Sequence, residues 1–161
     1  MRYFFAALIA LYSAQSLAQD TSNKNANSRV GIIAGPFLPS AIAGVKEILQ
    51  VAGLRLGSDT KLGDFEAEGW LANGGGVSYQ SFLVNYRMDI PGDVIPVHAL
   101  VGIHADAYRK ANATNVSSGG WQVGGGAEAK IAGPASVRSD FEYRFGPGDS
   151  LLVLVSIMFA F

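Results

Sequence analysis

The chain ends in the stretch SLLVLVSIMFAF, residues 150–161, and this stretch decides its fold class. Every second residue from Leu151 to Phe161 is apolar, whereas the residues between them include Ser150 and Ser156. Successive side chains of a β-strand point to opposite faces of its sheet, so a period of two indicates a strand. One face of this strand is therefore entirely apolar.

The preceding segment, residues 135–145, has the same period and a sharper contrast between its faces. Its apolar face carries Val137, Phe141, Tyr143 and Phe145. Its charged face carries Arg138, Asp140, Glu142 and Arg144. Alternation of this kind predicts a strand with one apolar and one polar environment.

Towards the N-terminus the same alternation recurs, in segments of roughly ten residues separated by Gly, Pro, Asn and Asp clusters. The first two segments run from Arg29 to Leu38 and from Val45 to Leu56, and their faces stay ambiguous. Eight such segments are visible, and strands of about ten residues can cross a bilayer at a tilt. The predicted fold class is all-β, an eight-stranded antiparallel up-and-down transmembrane β-barrel.

Two arguments place the apolar faces on the outside of this barrel. A soluble barrel would have a polar exterior, but the apolar faces of the last four strands contain almost no polar residue. The charged faces carry both signs, so their charges can neutralise one another in a polar lumen. Only 16% of the residues are charged, against about 25% in an ordinary soluble domain.

The composition excludes several classes of function. The chain has no cysteine, which rules out disulfides, thiolate metal sites and cysteine nucleophiles. It has 12 Lys and Arg against 13 Asp and Glu, and this balance provides no electrostatic basis for binding nucleic acid.

The N-terminus has the organisation of a secretory signal. A positive start at Met1–Arg2 precedes the apolar run Tyr3–Tyr12, and Ser16-Leu17-Ala18 is a small-x-small cleavage site. The apolar run is too short to span a membrane. We therefore expect a signal peptide over residues 1–18, cleaved after Ala18, a flexible periplasmic lead-in over 19–28 and a barrel domain over 29–161.

The last strands resemble those of known proteins. The ending LLVLVSIMFAF resembles the C-terminal strand of bacterial outer-membrane barrels, with Phe161, Phe159 and Ile157 at the positions that act in that family as an assembly signal. Residues 121–148, a Gly-rich strand, a short turn and an Arg-x-Asp-x-x-Tyr-Arg strand, resemble the last hairpin of the small OmpA-like barrel family. The resemblance covers Val94–Phe161 and does not extend to that family's peptidoglycan-binding domain.

This resemblance implies a location and partners. It implies the outer membrane of a bacterium, with both termini in the periplasm, contact with outer-membrane lipids, and the barrel-assembly machinery as partner during insertion. We expect a monomer.

Catalytic, cofactor-binding and metal sites are not expected. His98, His104 and Asp106 share one strand face, but at roughly 3.3 Å per residue the two histidines lie about 20 Å apart and cannot share a metal. Lipid A-deacylating barrels use a His-x-Ser pair, whereas Leu100 and Asp106 occupy the corresponding positions after these histidines. We interpret these residues as polar lining.

The candidate functional residues are the charges expected to face the lumen. They are Asp64, Glu66, Glu68, Arg87, Glu128, Lys130, Arg138, Asp140, Glu142 and Arg144. They could form a selective ion path or a plug of ion pairs, and the plug is favoured because eight strands enclose a space that side chains just fill. A plug corresponds to a structural or interaction role in the envelope. An open path corresponds to a narrow channel or a transporter for small hydrophobic molecules. A lipid A-modifying enzyme is a third possibility.

The sequence predicts which residues of the sixth and seventh segments face each other inside the lumen. A three-residue loop at Ala132–Pro134 would place Ile131 opposite Ala135 and Glu128 opposite Arg138. The same register sets glycines opposite Asp140 and Glu142, which leaves these acids room to reach bases on other strands, such as Arg87. A shift by two residues would place like charges opposite each other. We therefore expect a Glu128–Arg138 ion pair.

Overall fold

The structure is a closed barrel of eight antiparallel strands, as the sequence predicts. It is a computed structural model that describes residues 28–39, 48–60, 63–91, 96–110, 116–146 and 149–161. The strands are β1 (Ser28–Pro39), β2 (Leu49–Thr60), β3 (Gly63–Gly74), β4 (Val77–Ile90), β5 (Val97–Lys110), β6 (Val116–Ala132), β7 (Ala135–Phe145) and β8 (Ser150–Ala160). The expected signal peptide and residues 19–27 of the lead-in lie outside the described residues.

Each strand pairs with the next in sequence, and β1 closes the barrel against β8. The closure is completed beyond the strand ends, where the Ser28 amide donates to the Phe161 carbonyl at 3.2 Å and the Phe161 amide donates back at 2.9 Å. We call the end of the barrel with Ser28 and Phe161 the terminal end, and the opposite end the loop end. Among the described residues there is no helix with the length and hydropathy that a membrane span requires.

The first two strands differ from their expected bounds. β2 runs on to Thr60, so the expected end at Leu56 is wrong, because residues 57–60 pair with the start of β3. Gly57 faces Glu66 there. β1 continues through Pro36, which pairs with Gln50 of β2, while its pairing with β8 skips Gly35 and Pro36. Proline lacks an amide donor, and β1 accommodates Pro36 on the side that faces β8, where the pairing is interrupted.

The β6–β7 hairpin has the expected register but a different turn. Ala132 faces Ala135 across a two-residue turn, with Gly133 at a φ of 54°, a left-handed conformation that glycine adopts without strain. The expected pairing of Ile131 with Ala135 is wrong, because the register shifts between Lys130 and Ala132. This bulge restores the pairing of Glu128 with Arg138 further along the hairpin.

The middle of the outer surface of the barrel is apolar, as expected. The exposed fraction is 42% for Val101, 54% for Phe141 and 51% for Val155, whereas Ser156 beside Val155 is 1% exposed. Aromatic contacts lie towards both ends of the barrel: Phe65 contacts Tyr86 near the terminal end, and Trp121 stacks on Phe145 at 3.9 Å near the loop end. Aromatic residues at two levels are typical of barrels that span a bilayer.

A positive charge on the outer surface should cost more in the middle of the barrel than at its end. We expect Val155→Arg, in the middle of β8, to lower the free energy of unfolding by about 2–4 kcal/mol, and Gln50→Arg, near the loop end of β2, by about 0–1 kcal/mol. Denaturant titrations of the protein folded into lipid vesicles measure both. Equal losses would show that the outer surface does not contact acyl chains.

Candidate functional site

The lumen is divided into a charged part and an apolar part. The charged part, which we call the charged plug, extends from the terminal end to the middle of the barrel and consists of Arg29, Arg55, Arg87, Arg138, Asp64, Glu66, Glu68, Glu128, Asp140 and Glu142. The apolar part, which we call the apolar lumen cluster, consists of Ile33, Phe37, Leu49, Val51, Trp70, Ala72, Val77, Tyr79, Leu83, Leu152 and Leu154. A lumen that is polar throughout, as the sequence suggested, is therefore wrong.

The apolar lumen cluster is packed like the core of a soluble domain. Phe37 contacts two aromatic rings, with centroid distances of 5.3 Å to Trp70 and 4.9 Å to Tyr79, and these two rings stack on each other at 5.4 Å. Leu152 and Leu154 of β8 complete it from the other side of β1, and both are fully buried. Apolar side chains can face a lumen of this size because they fill it, so they contact one another and not water.

Arg55 is the centre of the charged plug. Its Nη1 donates to Asp140 Oδ2 at 2.6 Å, and its Nε donates to Glu68 Oε1 at 2.9 Å. Glu142 Oε1 lies 3.6 Å from its Nη2. These contacts connect β2 with β3 and β7, and Arg55 is fully buried. The sequence analysis missed this residue because the faces of β2 could not be assigned, although an arginine within VAGLRLG is itself a signal.

Arg138 pairs across the lumen rather than with its neighbour in the register. Its Nη1 donates to Glu66 Oε1, a residue 72 positions away, and its Nε lies 2.9 Å from Asp140 Oδ1. Glu128 instead accepts from Arg87 Nη1 at 2.9 Å and from Ser136 Oγ. The expected Glu128–Arg138 ion pair is therefore wrong, although the two residues face each other in the ladder. In so narrow a lumen a long side chain reaches the opposite wall.

The glycines of β6 leave space for the acidic side chains that face them, as the register predicts. A Cβ atom at Gly126 would lie 2.5 Å from Oδ1 of the facing Asp140, a distance at which one of them would have to move. The space lets Asp140 receive Arg55, Arg138 and His98 together.

At the terminal end the plug opens to solvent. Arg29 contacts Asp59 at 2.6 Å and Asp64 at 3.3 Å, and Arg87 contacts Asp89 at 2.8 Å. Of the ten predicted lumen charges, Lys130 is exposed and has no ion pair with a described residue, because it precedes the bulge at the end of β6. The other nine face the lumen.

The two histidines have separate carboxylate partners. His98 Nε2 lies 2.7 Å from Asp140 Oδ1, and His104 Nδ1 lies 2.9 Å from Asp106 Oδ2. Arg144 also contacts Asp106, at 2.6 Å, and its guanidinium lies 5.3 Å from the centre of the Trp70 ring, so that it joins the polar wall to the apolar lumen cluster. In the described parts of the chain, no three His, Asp or Glu residues are placed to hold a metal ion.

A row of amides connects two of the buried acids. Gln122 Nε2 donates to Asn85 Oδ1 at 2.6 Å and to Glu142 Oε2 at 3.2 Å, and Asn85 Nδ2 donates to Glu68 Oε1 at 3.1 Å. The sequence analysis did not single out Asn85 or Gln122, because neither carries a charge. Buried charges are tolerated when they are paired and hydrogen-bonded, and the two amides supply such hydrogen bonds to Glu68 and Glu142.

Comparison with known proteins finds likeness in structure only. No family model matches the chain, and no curated protein matches its sequence. The N-terminal β-barrel domain of Pseudomonas aeruginosa OprF superposes with a TM-score of 0.60 at 12% identity, covering 85% of this chain and 100% of that domain. Neisserial surface protein A (NspA) gives 0.59 at 9% identity, and Ail, the attachment invasion locus protein of Yersinia pestis, gives 0.56 at 9% identity. Each of these two covers 84% of this chain and 97% of its own. The chain therefore has the fold of these barrels.

The cross-lumen pairing predicts which double-mutant cycle shows coupling. Arg138→Ala should lower the free energy of unfolding by about 3–5 kcal/mol, because it leaves buried carboxylates without their partner. Combined with Glu66→Ala it should show a coupling energy of about 0.5–3 kcal/mol, whereas the combination with Glu128→Ala should show a smaller one, because Arg138 forms an ion pair with Glu66 and Glu128 pairs with Arg87 instead. Denaturant titrations in vesicles measure both cycles. Stronger coupling of Arg138 to Glu128 than to Glu66 would contradict this assignment.

Proposed function

We propose that this chain, which has the fold of the small eight-stranded outer-membrane barrels, is an integral protein of a bacterial outer membrane with a structural or interaction role in the envelope and without catalytic activity. The known barrels that it resembles in structure are outer-membrane proteins. The apolar outer surface, with aromatic residues towards both ends, supports the same environment. Both termini would then lie in the periplasm, after removal of residues 1–18.

The observation that carries the structural role is the filled lumen. Arg55 contacts Asp140 across the middle of the barrel, and Phe37 contacts Trp70 towards the loop end. Towards the loop end, the apolar lumen cluster fills one side of the lumen and the buried Arg144–Asp106 pair lies on the other side. This favours a plugged barrel over the narrow channel.

The channel remains the second candidate because charged residues continue from the terminal end to the middle of the lumen. Arg87 and Glu128 lie near that end, and Arg55 and Glu142 lie in the middle. A transporter of small hydrophobic molecules would have to use the apolar lumen cluster, whose residues are packed against one another.

Planar bilayers distinguish the plug from the channel. We expect the folded wild-type protein to show no regular single-channel steps, because the side chains fill the lumen. Heat-modifiable migration on a gel confirms folding of each preparation before recording. Reproducible conductance steps that change in Arg138→Ala, with folding retained, would replace the structural role by the channel.

The C-terminal residues are proposed to act in assembly. Phe161, Phe159 and Ile157 share the outer face, with exposed fractions of 77%, 44% and 46%, so that they are accessible to the barrel-assembly machinery. Deletion of Phe161 should lower the amount of folded, heat-modifiable protein in outer-membrane fractions. Phe65→Ala, which removes another exposed aromatic side chain near the same end, is the matched control and should leave that amount unchanged. A deletion variant as abundant as wild type would contradict the role.

A further inference from the structure

A groove of about 390 Å³ lies at the loop end, where β4, β5 and β6 adjoin. It is lined by Ser78, Gln80, Ala107, Tyr108, Arg109 and Ser117. All of these except Tyr108 are exposed outward-facing residues. We call it the outer groove.

The strand register explains why a groove forms at this position. Ala107 of β5 pairs with Gln80 on one side and with Ser117 on the other. The small side chains of Ala107 and Ser117 therefore lie next to each other, while Gln80 and Arg109 project beside them. One row nearer the middle, Ala105 pairs with Gly119, so the low surface continues along the wall of the barrel.

The lining of the groove is polar and cationic. It presents the hydroxyl groups of Ser78 and Ser117, the amide of Gln80 and the guanidinium of Arg109, with no acidic side chain among the lining residues. Next to the groove, towards the middle of the barrel, Ala105 and Gly119 present only apolar or backbone atoms. Such a lining matches a polar anionic headgroup.

The height of the groove also matches a lipid headgroup. Trp121 lies two residues beyond Gly119 along β6, is 52% exposed and stacks on Phe145. Exposed tryptophan and tyrosine side chains mark the boundary between the hydrocarbon and the headgroups. The outer groove lies on the loop-end side of Trp121, at the level of the headgroups.

We propose that the outer groove binds the phosphorylated sugar headgroup of an anionic glycolipid of the outer leaflet, with its acyl chains beyond Trp121 towards the middle of the barrel. Arg109 donates charge-assisted hydrogen bonds to a phosphate, for which the planar guanidinium is well suited. Ser78, Gln80 and Ser117 offer hydrogen bonds to sugar hydroxyl groups. This inference rests on the proposed function, since it places the loop end in the outer leaflet.

Binding of lipid A to the full chain tests the inference. The apparent Kd is measured in mixed micelles of a zwitterionic detergent with fluorescently labelled lipid A that carries both phosphates. Arg109→Gln removes the cation, and Ala107→Trp fills the groove. We expect each to weaken binding at least about tenfold, the scale of one charge-assisted contact. Wild-type protein should also bind the dephosphorylated lipid about tenfold more weakly.

Two matched variants control for charge and for size. Lys130→Gln removes an exposed cation near the terminal end, and Ala52→Trp adds the same bulk to the outer surface of β2. Both should bind lipid A as the wild type does. Equal affinity in all four variants, or no preference for the phosphorylated lipid, would overturn the inference.

Three further outcomes separate the lipid site from a contact between chains and from the proposed function. If Ala107→Trp abolishes chemical cross-linking between copies but leaves lipid affinity unchanged, the groove is a contact between two chains and the lipid site is wrong. Wild-type protein that fractionates with the outer membrane but lacks lipid A preference overturns the lipid site alone. Protein absent from that membrane overturns both.

Discussion

The width of an eight-stranded barrel is the constraint on which the rest of this structure depends. Eight strands enclose a space that side chains just fill, so each inward residue must fit against the residue facing it. Gly53 faces Trp70 across the β2–β3 ladder, and a Cβ atom there would lie 2.4 Å from Trp70 Cβ. Gly126 accommodates Asp140 in the same way. The glycines thus determine where the largest inward side chains can lie.

The same narrowness makes the buried charges interdependent. An arginine or carboxylate without a partner in this interior would cost several kcal/mol, so each must find the opposite charge within reach. Arginine suits this role because its fixed fork of donors can hold two carboxylates at once, as Arg55 holds Glu68 and Asp140. The ion pairs therefore tie together strands that are not neighbours in the sheet.

The outer surface and the lumen face different solvents. Apolar side chains such as Val155 and Phe141 cover the middle of the barrel, where acyl chains would meet them. The two ends differ: charged residues such as Arg29 and Asp89 open to solvent at the terminal end, whereas aromatic packing and the buried Arg144–Asp106 pair occupy the lumen towards the loop end.

The sequence by itself determined the number of strands, the outward faces of the last six strands and the register of the β6–β7 hairpin. Period-two alternation and the pairing of Glu128 with Arg138 depend on neighbours in one ladder, and such local relations can be read along the chain. The faces of β1 and β2 could not be read, because apolar residues such as Ile33 and Val51 point inwards while Ile32 and Leu54 point outwards. Only the tertiary structure decided the partners of the charges. Arg55 and Asp140 are 85 residues apart, and they meet because barrel closure brings opposite walls within the length of one side chain.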